Sequence, residues 1–206
     1  YANLPVTNPV GNSFERAKTK LKDIYNDKAQ GMPRVDIYCG CKFSAGLNVD
    51  KSCNYKAQQK GKRASKIEWE HIIPAENFGQ NFKEWREGNK ELCKDKKGRE
   101  CAKKNPEFAR MEGDMYNLYP AVGEVNAIRS NFRYLELSTK DSDVEVLKGC
   151  GDVAVNKADR SFMPASATKG ELARVYLYFD AVYDNYNLSS AQKQLFTAWS
   201  NQYPIS

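Results

Sequence analysis

The stretch WEHIIPAEN, Trp69 to Asn77, holds the only histidine of a 206-residue chain, directly behind a glutamate. An imidazole can take a proton from water near neutral pH, and a carboxylate can hold a hard cation. On a strand Glu70 and His71 would point to opposite faces, so both serve one site only where the strand ends or turns, and Pro74 supplies that ending. Downstream, PAVGEVNAIRSNF (Pro120 to Phe132) carries the polar residues Asn126, Arg129, Ser130 and Asn131. A carboxylate, an amide and an imidazole amount to two oxygen ligands for a hard cation plus a general base, with an arginine to meet phosphate charge.

Other hydrolytic classes do not fit. A zinc protease of the H-E-x-x-H kind needs a second histidine near the first, and a serine hydrolase of the nucleophile-elbow kind needs G-x-S-x-G; the chain has neither.

The formal charge is +6, and its distribution says more than its sum. Lysine and arginine crowd KAQQKGKRASK (Lys56 to Lys66), just before the histidine, and KELCKDKKGRECAKK (Lys90 to Lys104), shortly after it, whereas ELSTKDSDVEV (Glu136 to Val146) is acidic. One such run reads as a solvated loop; two runs flanking one candidate site suit a phosphate backbone, which clustered cations attract. Lys60, Lys62, Arg63, Lys66 and Arg129 are the expected backbone contacts. A secreted polyanion binder without catalysis would share this charge pattern.

The elements that must position these groups are legible in outline. NSFERAKTKLKDIYND places Phe14, Ala17, Leu21 and Ile24 at helical spacing, with Asn12 as cap and Glu15 completing a capping-box pattern. RVDIYC (Arg34 to Cys39) alternates like a strand, and SKIEWEHIIP (Ser65 to Pro74) like another, which delivers His71. A short helix is predicted from Pro120 to Phe132, weakened by Gly123. TKGELARVYLYFDAVY sets Leu172, Val175, Tyr176, Phe179, Val182 and Tyr183 on one stripe, and SSAQKQLFTAWSNQ sets Leu195, Phe196 and Trp199 on another; both read as core helices. With no repeat or linker, residues 1–206 form a single, mainly helical α+β domain with short strands.

The six cysteines, Cys39, Cys41, Cys53, Cys93, Cys101 and Cys150, do not show the paired C-x2-C spacing of a zinc site. Three disulfides and an oxidising compartment, periplasmic or extracellular, follow; proximity favours Cys41 with Cys53 and Cys93 with Cys101. No apolar run approaches the roughly 20 residues of a membrane span, and the first residues lack an export signal, so the sequence reads as a soluble, processed form.

WEHIIPAENFG, GRECA, MEGDMYNL, PAVGEVNAIRSNF, GELARVYLYF and QLFTAWSNQYP together resemble the bacterial endonuclease I family, and among its members the vibrio-type nucleases, from Cys39 to about Pro204. That family belongs to the ββα-metal, His-Me finger superfamily. The resemblance implies a ββα-metal finger and nonspecific cleavage of double- and single-stranded DNA, and of RNA, to 5′-phosphate ends by a monomer with no membrane attachment. It implies one Mg²⁺, replaceable by Mn²⁺ or Ca²⁺. Position by position it assigns Glu70 and Asn126 as metal ligands, His71 as general base, Arg99 as the residue steadying the cleaved phosphate, and Glu112 near the metal's water shell. The chain departs from the family pattern at Tyr116, where many members have histidine before asparagine, and in a longer segment between His71 and Arg99, which makes Arg86 the competitor for the Arg99 role. Some relatives also have a cysteine-containing tail past the position of Pro204 that this sequence lacks.

Overall fold

The computed structural model describes residues 13–27 and 31–205, and its first element is helix α1 (Phe14–Asn26). Ala17 and Leu21 are buried as the spacing predicts. The cap is Ser13, whose hydroxyl accepts from the Arg16 N–H at 3.3 Å; Asn12, the expected cap, lies outside the described residues.

Arg34 to Cys39 is not a strand. The buried Asp36 carboxylate gathers the backbone N–H groups of Tyr38, Cys39 and Cys41 at 3.0, 3.2 and 2.7 Å and draws the chain into a turn. Only Val35 keeps an isolated bridge, to Lys42. A short acidic side chain that binds its own neighbourhood outcompetes the alternating pattern.

The histidine strand forms as expected and is β1 (Ile67–His71). Five short helices follow before its partner arrives: α2 (Ala75–Gly79), α3 (Lys83–Arg86), α4 (Lys90–Cys93), α5 (Arg99–Ala102) and α6 (Pro106–Glu112). Strand β2 (Leu118–Val122) then pairs antiparallel with β1, in register from Ile67 opposite Val122 to His71 opposite Leu118. It runs without a loop into α7 (Gly123–Arg129), so the helix expected from Pro120 begins three residues later. Pro120 sits in β2 instead, opposite Trp69, and its carbonyl accepts from the Ile37 N–H at 2.8 Å. A two-stranded ribbon consists of edges, where a missing N–H is tolerated.

Four short strands, β3 (Arg133–Tyr134), β4 (Glu145–Val146), β5 (Ala154–Asn156) and β6 (Ser161–Met163), make a second sheet in the order β3-β6-β5-β4. β3 and β6 are parallel; the other pairs are antiparallel. The chain closes with α8 (Lys169–Val182) and α9 (Ser190–Gln202), the latter capped by a reciprocal Ser189–Gln192 box. Their stripes meet where Tyr176 stacks on Phe196 with ring centroids 4.1 Å apart. This is the α+β architecture expected, with helices dominant.

Two apolar clusters flank the β1–β2 ribbon. The main core joins α8 and α9 to Phe78, Phe108, Ile72 and Ile73, while Ala17, Leu21, Trp69 and Leu118 seal α1 to the other face. The cysteines pair as Cys39–Cys150, Cys41–Cys53 and Cys93–Cys101, so the two short bridges match the proximity reading, and no free cysteine remains among the described residues. No helix among the described residues is long and apolar enough to cross a membrane.

Candidate active site

A cleft of about 660 Å³ opens along β1 and is lined by Phe14 of α1, Glu68, Glu70 and His71 of β1, Arg99 of α5 and Asn126 of α7. It is built from both faces of the ribbon. The strand ends at His71, and just beyond it the buried Asn117 side chain copies a strand pairing: its oxygen accepts from the Ile73 N–H at 2.7 Å and its NH₂ donates to the Ile73 carbonyl at 3.0 Å. That clasp, with Pro74 following, makes the turn that lets adjacent residues serve one site.

His71 packs against the Phe14 ring, centroids 4.6 Å apart, and its Nε2 lies 2.8 Å from the Glu112 carbonyl oxygen. A carbonyl only accepts, so Nε2 carries the hydrogen and Nδ1 keeps its lone pair. Burial lowers the imidazole pKa to about 3; the Glu112 contact works against this, and the charges of Arg99, Arg129 and Lys18 add to it. The ring is therefore neutral throughout the physiological range, its Nδ1 lone pair free of any partner among the described residues.

Glu70 points to the opposite face of β1. Its Oε1 accepts from the Tyr38 hydroxyl at 2.6 Å and from Arg129 Nη1 at 2.5 Å, while no hydrogen bond among the described residues reaches Oε2. Tyr38 spends its proton on Glu70, so the Tyr134 hydroxyl, 2.6 Å away, donates to it in turn. Burial pushes the Glu70 carboxyl above the usual range, and Arg129 and Tyr38 pull it back.

Arg129 corrects an expectation. It is fully buried, 0% exposed, and cannot reach a nucleic-acid backbone. Besides Glu70, its guanidinium binds the carbonyls of His71, Ile72 and Phe132 at 3.0, 2.7 and 3.0 Å and lies over the Tyr134 ring. A planar fork that satisfies three carbonyls and a carboxylate is a structural bolt behind the site.

Asn126 stands one turn into α7. Its Nδ2 donates to Glu68 Oε2 at 2.9 Å, and its Oδ1 has no partner among the described residues. Arg99 begins α5, in a segment closed by Cys93–Cys101; its Nε donates to the Glu112 carboxylate, and its Nη2 is buried without a partner. Arg99 nevertheless lines the cleft, so its guanidinium brings positive charge to the wall. Arg86 does not line the cleft and donates to the Gln80 carbonyl at 2.6 Å. Glu112, buried, holds Arg99 with its carboxylate and His71 with its carbonyl.

The donor chemistry fits a hard cation. Glu70 and Asn126 each offer a free oxygen, and no thiol or second imidazole competes. Among the described residues no three His, Cys, Asp or Glu side chains gather to hold a metal alone, so an ion here would complete its shell with water and substrate, as Mg²⁺ does.

Of the expected phosphate grip, Lys60 and Lys62 are exposed, Lys66 is exposed and donates to Asn48, and Arg63 forks onto Glu68 at 2.8 and 2.6 Å. Sequence reasoning missed several residues of the cleft, Glu68, Phe14 and Lys18 among them. Glu68 was readable, since I-E-W-E-H at period two puts it on the Glu70 face. Phe14 and Lys18 come from a distant helix, and nothing local announces them.

A family profile described as Endonuclease I matches residues 13–206. The chain is 38% identical over 197 residues to an extracellular deoxyribonuclease of Aeromonas hydrophila, covering 93% of this chain and 77% of the relative. It is 36% identical over 196 residues to a periplasmic deoxyribonuclease of the same species, covering 93% and 75%. It is 31% identical over 198 residues to Endonuclease-1 of Buchnera aphidicola subsp. Baizongia pistaciae, covering 94% and 74%. With the profile match spanning both strands of the ribbon, the helix behind them and the Arg99 segment, the chain belongs to the endonuclease I family.

Proposed function

We propose that this chain is a nonspecific, Mg²⁺-dependent endonuclease of the periplasm or extracellular space that hydrolyses DNA, and RNA as a second substrate, to 5′-phosphate products. One observation carries the reading. Glu70, His71 and Asn126 line one cleft, and each is tied through one polar atom while its other is without a partner among the described residues. Relatives named extracellular and periplasmic deoxyribonucleases, and the full pairing of the cysteines, support the substrate and the compartment.

In this reading Glu70 Oε2 and Asn126 Oδ1 would hold the cation, which would supply positive charge to offset that of the reacting phosphate. His71 takes the proton of the attacking water at Nδ1, while its Nε2–H stays on the Glu112 carbonyl and fixes the ring plane. Arg99, anchored on Glu112 through Nε, offers its guanidinium charge to the phosphate as charge builds there. The exposed lysines of residues 56–66 hold the backbone without reading bases.

Supercoiled plasmid incubated with the protein in Mg²⁺ should be nicked and then degraded, and excess chelator should stop both. Binding without cleavage in Mg²⁺ would favour the non-catalytic polyanion binder instead.

A further inference from the structure

We propose that Glu68 is a positioning residue that sets the amide of Asn126, turning its oxygen and not its NH₂ toward the cation. The inference rests on reading Asn126 as an oxygen ligand. An asparagine amide has two ends of nearly equal size and opposite character: the oxygen accepts, and the nitrogen carries two donors. A flip of half a turn would present N–H dipoles to a cation and abolish the ligand. Something must choose between the two.

Glu68 makes the choice by chemistry, not by shape. It lies two residues before Glu70, on the same face of β1. Arg63 grips it in a fork, Nε to Oε1 at 2.8 Å and Nη2 to Oε2 at 2.6 Å, and Asn126 Nδ2 donates to the same Oε2 at 2.9 Å. A carboxylate held by a guanidinium only accepts, so only the NH₂ end of Asn126 can face it, and Oδ1 is left for the ion. Gly123 belongs to this device. A Cβ there would stand 2.7 Å from Glu68 Oε1 and 2.9 Å from the Arg63 carbonyl, so the first residue of α7 must be glycine for the carboxylate to reach Asn126 one turn on. Arg63, expected to grip nucleic acid, is thereby the outer link of a chain that ends at a metal ligand.

The test measures Mn²⁺ binding to the DNA-free protein by electron paramagnetic resonance, in the parent and in Glu68→Ala, Asn126→Ala and the double variant. Glu68→Ala should weaken binding about tenfold, as loss of partners behind metal ligands does. The double variant should bind no more weakly than Asn126→Ala alone, because Glu68 acts only through that amide. Unchanged affinity in Glu68→Ala overturns the proposal, and so do losses that add in the double variant, which would mean that Glu68 acts on the ion directly. If Asn126→Ala itself binds Mn²⁺ like the parent, the ligand reading fails and the role of Glu68 falls with it. Should Glu68→Ala not fold, Glu68→Gln, of the same shape, keeps an acceptor but loses the charge. It should shift the Asn126 side-chain NH₂ signals in ¹⁵N–¹H spectra and weaken binding by no more than about fivefold; unmoved signals overturn the contact.

Discussion

The ribbon-helix unit that carries Glu70, His71 and Asn126 differs in kind from the lysine-rich segment of residues 56–66 beside it. In the first, every functional group is braced: Tyr38 and Arg129 behind Glu70, the Glu112 carbonyl behind His71, Glu68 beside Asn126. In the second, Lys60 and Lys62 stand in water, Lys66 donates to the Asn48 side chain, and Arg63 is turned onto Glu68 in an ion pair. Reaction chemistry needs atoms fixed to fractions of an ångström, whereas attraction to a polyphosphate needs only charge within a screening length. The braces cost freedom and burial; a grip of the proposed kind would cost almost nothing to build and would be correspondingly sensitive to salt.

The sharpest way to break this contrast is to remove the proposed general base. His71→Ala should keep the fold and lose roughly 10²–10⁴-fold in turnover, since no other imidazole exists to replace it. Near-native turnover by folded protein would end the general-base assignment. Arg99→Ala should slow single-turnover cleavage of already bound DNA by roughly 10²-fold while leaving the salt dependence of binding almost unaltered. Cleavage at the parent rate would return attention to Arg86, which the structure sets on the Gln80 carbonyl, outside the cleft lining.

Acidification should cost the braced unit specifically. The folded His71 pKa is lowered to about 3, whereas the ordinary histidine value is near 6.5. The unfolded chain therefore binds a proton that the folded chain refuses. The His71 contribution is complete above pH 6.5 and is lost as pH falls from there toward 3, at about 1.4 kcal/mol per unit. Urea titrations at pH 7 and pH 5 should show the parent losing about 2 kcal/mol more than His71→Asn; equal losses would mean that the ring is not buried and neutral.

The smallest effect belongs to the open segment. Neutralising Lys60, Lys62 and Arg63 together should weaken DNA binding equally for all sequences and flatten its salt dependence, by up to about 0.9 in log–log slope per lost phosphate contact. Because Arg63 also holds Glu68, a Lys60–Lys62 double variant separates the two functions: it should flatten the slope and leave Mn²⁺ affinity unchanged. An unchanged slope would make these lysines a solvated loop.

What the sequence disclosed divides along the same boundary. The histidine strand, the core stripes of α8 and α9 and the two short disulfides are all properties of neighbouring residues, and spacing shows them. Arg129 misled because residue type carries charge but not burial; in R-S-N-F a buried bolt and a surface contact look alike, and only the carbonyls of His71, Ile72 and Phe132 distinguish them. The turn at Asp36 hid behind an alternating pattern, and Pro120 suggested a helix start where it occupies an edge. Phe14, Lys18 and the Cys39–Cys150 pairing depend on contacts between distant parts of the chain, 111 residues apart for the disulfide.

The two strands of the ribbon pair directly, although residues 72–117 lie between them. Closing so long a loop is an entropic step that local structure cannot take on its own, and non-local pairing of this sort forms slowly. A chain emerging from synthesis has Glu70 and His71 long before it has Asn126. The third member of the site faces the other two only where β2 has paired with β1 and led into α7. The assembly of Glu70, His71 and Asn126 in one cleft thus depends on a long-range pairing that no local segment can supply by itself.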